Sequence, residues 1–260
     1  MGTSYQVVAQ QFLDGYGKGV KMVKIAVVAD IHGNLPALAA VWADIKWQGV
    51  DEILCLGDVV GYYPWPNEVI EFIRERAITL VQGNYDESVG EELPACGCDF
   101  PTAAAMLIGE TSLQWTINTV TCENKRWLQD LPKNLRLQRA TYDLLLVHGS
   151  PDRNNEYLTM DIPAAKLVNI LAQEKVDILL CGHTHVPYHR QVRTGHVINA
   201  GSVGKPKHGN PNATYVIVRL GKQVAISIKE VPYDYEQTAQ RTIAAGLPEQ
   251  LAAAVRTGLG

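Results

Sequence analysis

The feature that most constrains this chain lies at residues 24–34, KIAVVADIHGN. An apolar run, residues 25–29, stops abruptly at Asp30, Ile31, His32 and Gly33. In a strand, positions i and i+2 face the same side. A buried strand ending here would therefore converge Asp30 and His32, both metal-capable, on one point. The same run also reads as a strand followed by a turn, with Asp30 capping the next helix. The ends of the other strands decide between the two.

Beyond it the pattern alternates strands and helices. Residues 23–29 read as the first strand. Residues 35–47 carry Leu35, Leu38, Ala39, Trp42 and Ile45 at helical spacing, with Pro36 in the first turn. Residues 52–56 form a second strand ending in Gly57-Asp58, 67–76 a helix, and 77–81 a third strand ending in Gly83-Asn84. Such units predict a parallel sheet with right-handed crossovers. Residues 86–129 are mostly helical. Strands follow at 135–138 and 142–147, the latter ending in His148-Gly149, then a helix at 162–173 and a strand at 176–181 ending in Gly182-His183. Residues 188–192, 196–199, 213–219 and 223–231 read as a β-meander, a second sheet made largely of hairpins. The organisation expected is an extension at 1–21 and one domain at 22–260. That domain carries a helical insert at about 86–130 and a helical tail at about 233–260.

Composition narrows the function classes. A net charge of −4 gives no electrostatic reason to expect nucleic acid or an anionic membrane as partner. No apolar run approaches the ~20 residues that span a bilayer, and no basic region leads into an apolar stretch as in a signal peptide. The five cysteines include no CxxC pair, so neither a zinc knuckle nor a disulfide framework is indicated. A reducing cytoplasm is the expected home.

Five apolar strands thus end in short polar motifs: Asp30-Ile31-His32, Gly57-Asp58, Gly83-Asn84, His148-Gly149 and Gly182-His183-Thr184-His185. In an open α/β sheet the carboxyl ends of parallel strands form one ligand-binding rim. Two aspartates, one asparagine and four histidines are delivered there. Seven ligands are too many for one tetrahedral site with an open position and suit two metals sharing a carboxylate. Imidazole, carboxylate and amide oxygen without thiolate favour Mn, Fe, Zn, Co or Ni over calcium.

The run DxH, GDxxG, GNxD, HGSP and GHTH resembles the calcineurin-like metallophosphoesterase superfamily over residues 22–231. Within it the chain is similar to compact prokaryotic phosphodiesterases and their diadenosine-tetraphosphatase and protein-phosphatase relatives. The resemblance implies an α/β fold, a two-layer β-sandwich of mixed sheets flanked by helices. It also implies two divalent metal ions, manganese foremost. Asp30, His32 and His185 would bind the first, Asn84, His148 and His183 the second, and Asp58 would bridge both. A metal-bridging hydroxide would attack phosphorus in line, with no phosphoenzyme and hence inversion. The implied substrate is a phosphodiester or nucleotide-type phosphate. Other members of the superfamily are phosphomonoesterases, including protein serine/threonine phosphatases, and the eukaryotic retromer subunit is a scaffold on the same fold.

One position departs from the family. Its GNHD motif places a histidine where this chain has Tyr85. A phenol can donate a hydrogen bond, but an unperturbed pKa of about 10 makes it a less responsive acid near neutrality. That favours good leaving groups, or a proton from elsewhere, for which His208 in GKPKHG is a candidate. Asp86, which closes GNYD, is expected to orient a ligand or cap a turn, and Ser202 to approach the phosphate. Lys205 and Lys207 would add positive charge, and the aromatics of GYYPWP would stack on a base or stiffen the turn. The helical insert and the terminal extensions are candidate interfaces for a homodimer.

Overall fold

Strand identity in this chain follows from apolar runs too short for helices, and strand facing from their alternation. The computed structural model describes residues 22–193 and 195–259, so the expected extension lies outside the described residues. Among the described residues, ten strands build two five-stranded mixed sheets. The first has the order β10 (Val224–Val231), β9 (Ala213–Leu220), β1 (Val23–Val28), β2 (Glu52–Cys55), β3 (Thr79–Leu80). The second has the order β4 (Asn134–Arg139), β5 (Tyr142–Val147), β6 (Ile178–Cys181), β8 (Gly195–Asn199), β7 (Tyr188–Val192).

β1, β2 and β3 run parallel and form one half of the first sheet, with β9 and β10 antiparallel on the other side. β5, β6 and β8 form a parallel centre in the second sheet, with β4 and β7 antiparallel at its margins. The expected meander does not form. Its first hairpin, β7–β8, joins the second sheet through β6, and its second, β9–β10, joins the first through β1. The reason is burial. β8 is buried along its whole length, and so is β9 apart from Arg219. A hairpin sheet with one wet face cannot satisfy strands that are apolar on both faces.

Alternation sorts the side chains into three cores. Ile25 and Val27 of β1, Leu54 of β2, Leu144 and Leu146 of β5, Ile178 and Leu180 of β6, and Val216 and Val218 of β9 lie between the sheets. Their neighbours Ala26, Val28, Tyr215 and Ile217 face helices on the outside of the first sheet. These include α1 (Leu35–Gln48), α2 (Pro66–Glu75), α3 (Asn84–Gly90), α4 (Ala103–Thr119), α5 (Cys122–Gln129), α7 (Tyr235–Ala244) and α8 (Glu249–Thr257). Leu145, Leu179 and Val197 face α6 (Ala164–Glu174) on the outside of the second. The architecture is the expected pair of mixed sheets flanked by helices.

Two local expectations change. β3 is two residues long because α2 runs to Glu75 and the chain turns at Ala77 with φ 47° before pairing resumes. The cap of α1 is Asn34, whose side chain accepts the Ala37 N–H, so Asp30 is left free of capping.

The inter-sheet layer is where the fold is least able to relax. Leu180 is fully buried there, and Leu180→Ala is expected to lower the unfolding free energy by about 3 kcal/mol. Ile228→Ala, at a position 43% exposed, should change it by less than about 1 kcal/mol. Chemical denaturation of the two variants checks the contrast; equal losses would refute the layered core.

Candidate metal centre

The parallel strands of both sheets deliver their carboxyl ends to the same place. Asp30 and His32 follow β1, Asp58 follows β2, Asn84 follows β3, His148 follows β5, and His183 and His185 follow β6. All seven are buried. The rim therefore draws on two sheets rather than on one.

The i, i+2 argument for Asp30 and His32 reached the right neighbourhood for the wrong reason. β1 ends at Val28, and both residues lie in the left-handed region, with φ of 53° and 52°. Asp58 (53°), His183 (65°) and His185 (60°) do the same. Left-handed backbone is costly for non-glycine residues, and its clustering marks sites held by their surroundings. Here the holding bonds run between loops: Asp30 N–H to Gly57 O, His32 N–H to Asp58 O, and His183 N–H to Asp30 Oδ2. Gly83 is required by proximity, since a Cβ there would lie 2.1 Å from Asp58 Oδ1.

Three imidazoles have their tautomer assigned by main-chain carbonyls. His32 Nδ1 lies 3.0 Å from Val60 O, His148 Nδ1 2.7 Å from Leu56 O, and His185 Nδ1 2.5 Å from Lys205 O. A carbonyl only accepts, so Nδ1 carries the proton and Nε2 presents a lone pair to the centre. Those lone pairs face other acceptors. Nε2 of His32 and His185 are 3.2 Å apart, with Asp30 Oδ1 3.7 and 3.2 Å from them and no hydrogen-bond partner of its own. His148 Nε2 meets Asn84 Oδ1 at 3.0 Å and Asp58 Oδ2 at 3.3 Å, while His183 Nε2 is buried without a partner. Asp58 Oδ2 is also 3.7 Å from His32 Nε2, so it touches both groups.

Buried acceptors facing one another repel unless a cation stands among them. Two triads have their donor atoms close enough to share one: Asp30, His32 and His185, and Asp58, His148 and His183. The residues present fit metal ions. The electrostatics agree. Burial would raise the Asp30 and Asp58 carboxyls, but His185 beside the first and His148 beside the second hold both below the usual range. Burial pulls His183 down to about 4 and His185 to about 3. Burial also works against a charged His148, yet the neighbouring Asp58 carboxylate carries its pKa up to about 10.

The other expected residues divide. Tyr85 lines the cavity beside the centre, its ring 5.4 Å from that of His32 and 4.7 Å from that of Tyr62. Its hydroxyl is buried without a partner, and burial pushes it well above its ordinary pKa. Asp86 faces main chain: its carboxylate accepts from the N–H groups of Val59, Val60 and Gly83, tying the β2 loop to α3. Burial and the Asp58 charge nonetheless push Asp86 up to about 7. Ser202 does not reach the cavity, because its hydroxyl is fully buried between Asp30 O and Lys205 N–H. His208 also lies outside it, 4.0 Å from Glu230. Lys205 and Lys207 do line it, and burial with Lys207 nearby lowers Lys205 to about 7.

The cavity has a volume of about 290 Å³. Of the GYYPWP aromatics Tyr62 faces it, whereas Tyr63 is buried in the core. Phe100 from the loop before α4, Tyr157 from the loop after β5, and Leu251 and Ala254 of α8 complete its walls. Sequence reasoning missed these four. Only the aromatic character of Phe100 and Tyr157 offered a signal, and nothing linked them to the strand ends.

A model of the calcineurin-like phosphoesterase superfamily domain matches residues 23–223. An uncharacterized protein of Methanocaldococcus jannaschii is 33% identical over 250 residues, 88% of this chain and 97% of its own. The phosphodiesterase YfcE of Escherichia coli K12 is 29% identical over 203 residues, 73% of this chain and 84% of that protein. A metallophosphoesterase structure from Sphaerobacter thermophilus superposes with a TM-score of 0.74 at 28% identity, over 92% of this chain and 100% of that one. Because the matched span contains every strand end that meets at the centre, the chain belongs to the calcineurin-like phosphoesterase superfamily and is a metal-dependent phosphoric ester hydrolase.

Proposed function

We propose that this chain holds two divalent metal ions, drawn from manganese, iron, zinc, cobalt and nickel, and hydrolyses phosphodiester or nucleotide-type phosphate bonds. Asp30, His32 and His185 would hold one ion, Asn84, His148 and His183 the other, and Asp58 would serve both. The observation that carries this is Asp58 Oδ2, which lies within 3.7 Å of His32 Nε2 on one side and 3.3 Å of His148 Nε2 on the other. When bound, such ions lower the pKa of water and offset charge on phosphoryl oxygens.

The chain's own groups do the rest. Tyr85 N–H donates to Asp58 Oδ1 at 2.8 Å, which keeps Oδ2 turned to the centre. The Lys205 and Lys207 side chains face the cavity, where cationic heads attract an anionic ester. Tyr62, Phe100 and Tyr157 offer flat apolar walls to the group beyond phosphorus. A cavity of about 290 Å³ favours a small ester over a loop of a phosphoprotein. The Tyr85 hydroxyl can donate a hydrogen bond to the leaving oxygen, but burial holds its proton too tightly for an effective acid.

Purified protein is expected to carry two transition-metal ions per chain and to hydrolyse bis-p-nitrophenyl phosphate faster than the monoester. Asp58→Asn should cost more than about 100-fold, exceeding the loss typical of groups that merely support a ligand. Elemental analysis with both assays decides it; metal-free protein, or hydrolysis indifferent to chelators, would sink the reading. Tyr85→His should raise turnover of alkyl diesters, which leave poorly, by about tenfold or more, with little gain on nitrophenyl esters. An unchanged alkyl-ester rate would tell against a shortage of acid at this position.

A further inference from the structure

The loop between α3 and α4 carries the sequence Cys96-Gly97-Cys98, which the catalytic reading leaves unused. Both cysteines are free thiols, yet their sulfurs approach to 2.6 Å, far inside the spacing of non-bonded sulfur atoms. The turn that brings them together is fixed. Gly97 adopts φ 68°, and its carbonyl accepts Asn155 Nδ2 at 2.7 Å. Cys96 is 6% exposed, whereas Cys98 is less buried and lines the catalytic cavity. A small molecule entering that cavity therefore meets Cys98 first.

The pair is also joined to the centre. Asn84 Nδ2 donates to Cys96 O at 2.9 Å and to Cys98 Sγ at 3.2 Å. With the NH₂ group turned toward the cysteines, the amide presents its other end, Oδ1, to His148 Nε2 at 3.0 Å. The CGC turn thus sets which way Asn84 points.

We propose that Cys96 and Cys98 are a modification site, a reversible dithiol–disulfide couple for small-molecule disulfides, whose closure loosens Asn84 and weakens the second metal position. The coupling to metal rests on the ligand assignment proposed above. Cys98 sulfur attacks the small disulfide RSSR, forming a mixed disulfide and releasing one RSH. Cys96 sulfur then attacks Cys98 sulfur and expels the second RSH. Two electrons pass from the cysteines to RSSR, and the two thiol protons leave on the two RSH molecules. Closure draws the two sulfurs into a covalent bond and leaves Cys98 Sγ a poorer hydrogen-bond acceptor, so one of the two bonds that orient the Asn84 amide is weakened.

The test uses the full chain carrying Cys122→Ser, because Cys122 is exposed and would react on its own account. Manganese-loaded protein is treated with bis(2-hydroxyethyl) disulfide, then examined by alkylation with mass spectrometry and by elemental analysis. Expected is loss of two alkylatable thiols without added mass, mapped to Cys96 and Cys98, and a fall in bound manganese from two ions per chain toward one. Dithiothreitol followed by fresh manganese should restore both. Adding Cys96→Ser removes closure while leaving the Cys96 carbonyl and Cys98 in place, and this protein should keep both ions. Persistent free thiols, a lasting adduct on Cys98 without closure, closure without manganese loss, or equal loss in the Cys96→Ser protein would each overturn the proposal. A reduced protein that holds no manganese overturns the ligand assignment instead, and disulfide closure, read by mass, still judges the couple by itself.

Discussion

The structure depends on a set of buried acceptors pointed at one another. Nε2 of His32 and His185, Oδ1 of Asp30, Nε2 of His148, Oδ1 of Asn84 and Oδ2 of Asp58 lie within 3.0 to 3.7 Å of their neighbours with few hydrogens to share. A protein interior does not gather lone pairs in this way without a positive charge to satisfy them. The arrangement is held from behind. Carbonyls of Val60, Leu56 and Lys205 take the Nδ1 protons, and the N–H groups of Tyr85 and His183 fix the carboxylates of Asp58 and Asp30.

Holding acceptors together costs backbone strain as well. Asp30, His32, Asp58, His183 and His185 all have positive φ, each at a cost of roughly 1–2 kcal/mol. Such conformations persist where surrounding contacts over-determine them. The surroundings here are two sheets packed face to face, whose parallel strands end at the same rim and whose end loops bond across to one another. The inter-sheet layer of Ile25, Leu54, Leu144, Leu180 and Val216 is thus what keeps the strained loops in register.

Around this rigid centre the chain adds parts of a different character. The loop before α4, the loop after β5 and α8 supply Phe100, Tyr157, Leu251 and Ala254 to the cavity. The Cys96-Gly97-Cys98 turn reaches the centre through the Asn84 amide. The centre would define the reaction class, and these outer elements the choice of ester.

Much of this was legible along the chain. Each apolar run that stops at Asp, Asn or His is local information, because burial on both faces demands continuous apolar residues and a metal demands polar ones. The strand ends named seven polar side chains that the fold brings together, all of them buried. The pairing of strands was not local. Residues 188–231 read as one meander, yet β8 and β9 sit in different sheets because each needs cover on both faces, which only the assembled sandwich supplies. Ser202 was expected to approach the phosphate and His208 to supply a proton, and tertiary contacts alone turned Ser202 inward to Asp30 O and left His208 near Glu230. Local residue order is enough to say which side chains could form the centre. The packing of two sheets decided that left-handed turns, not strand alternation, bring Asp30 and His32 together, since a close approach of loops is a property of the whole fold rather than of any one strand.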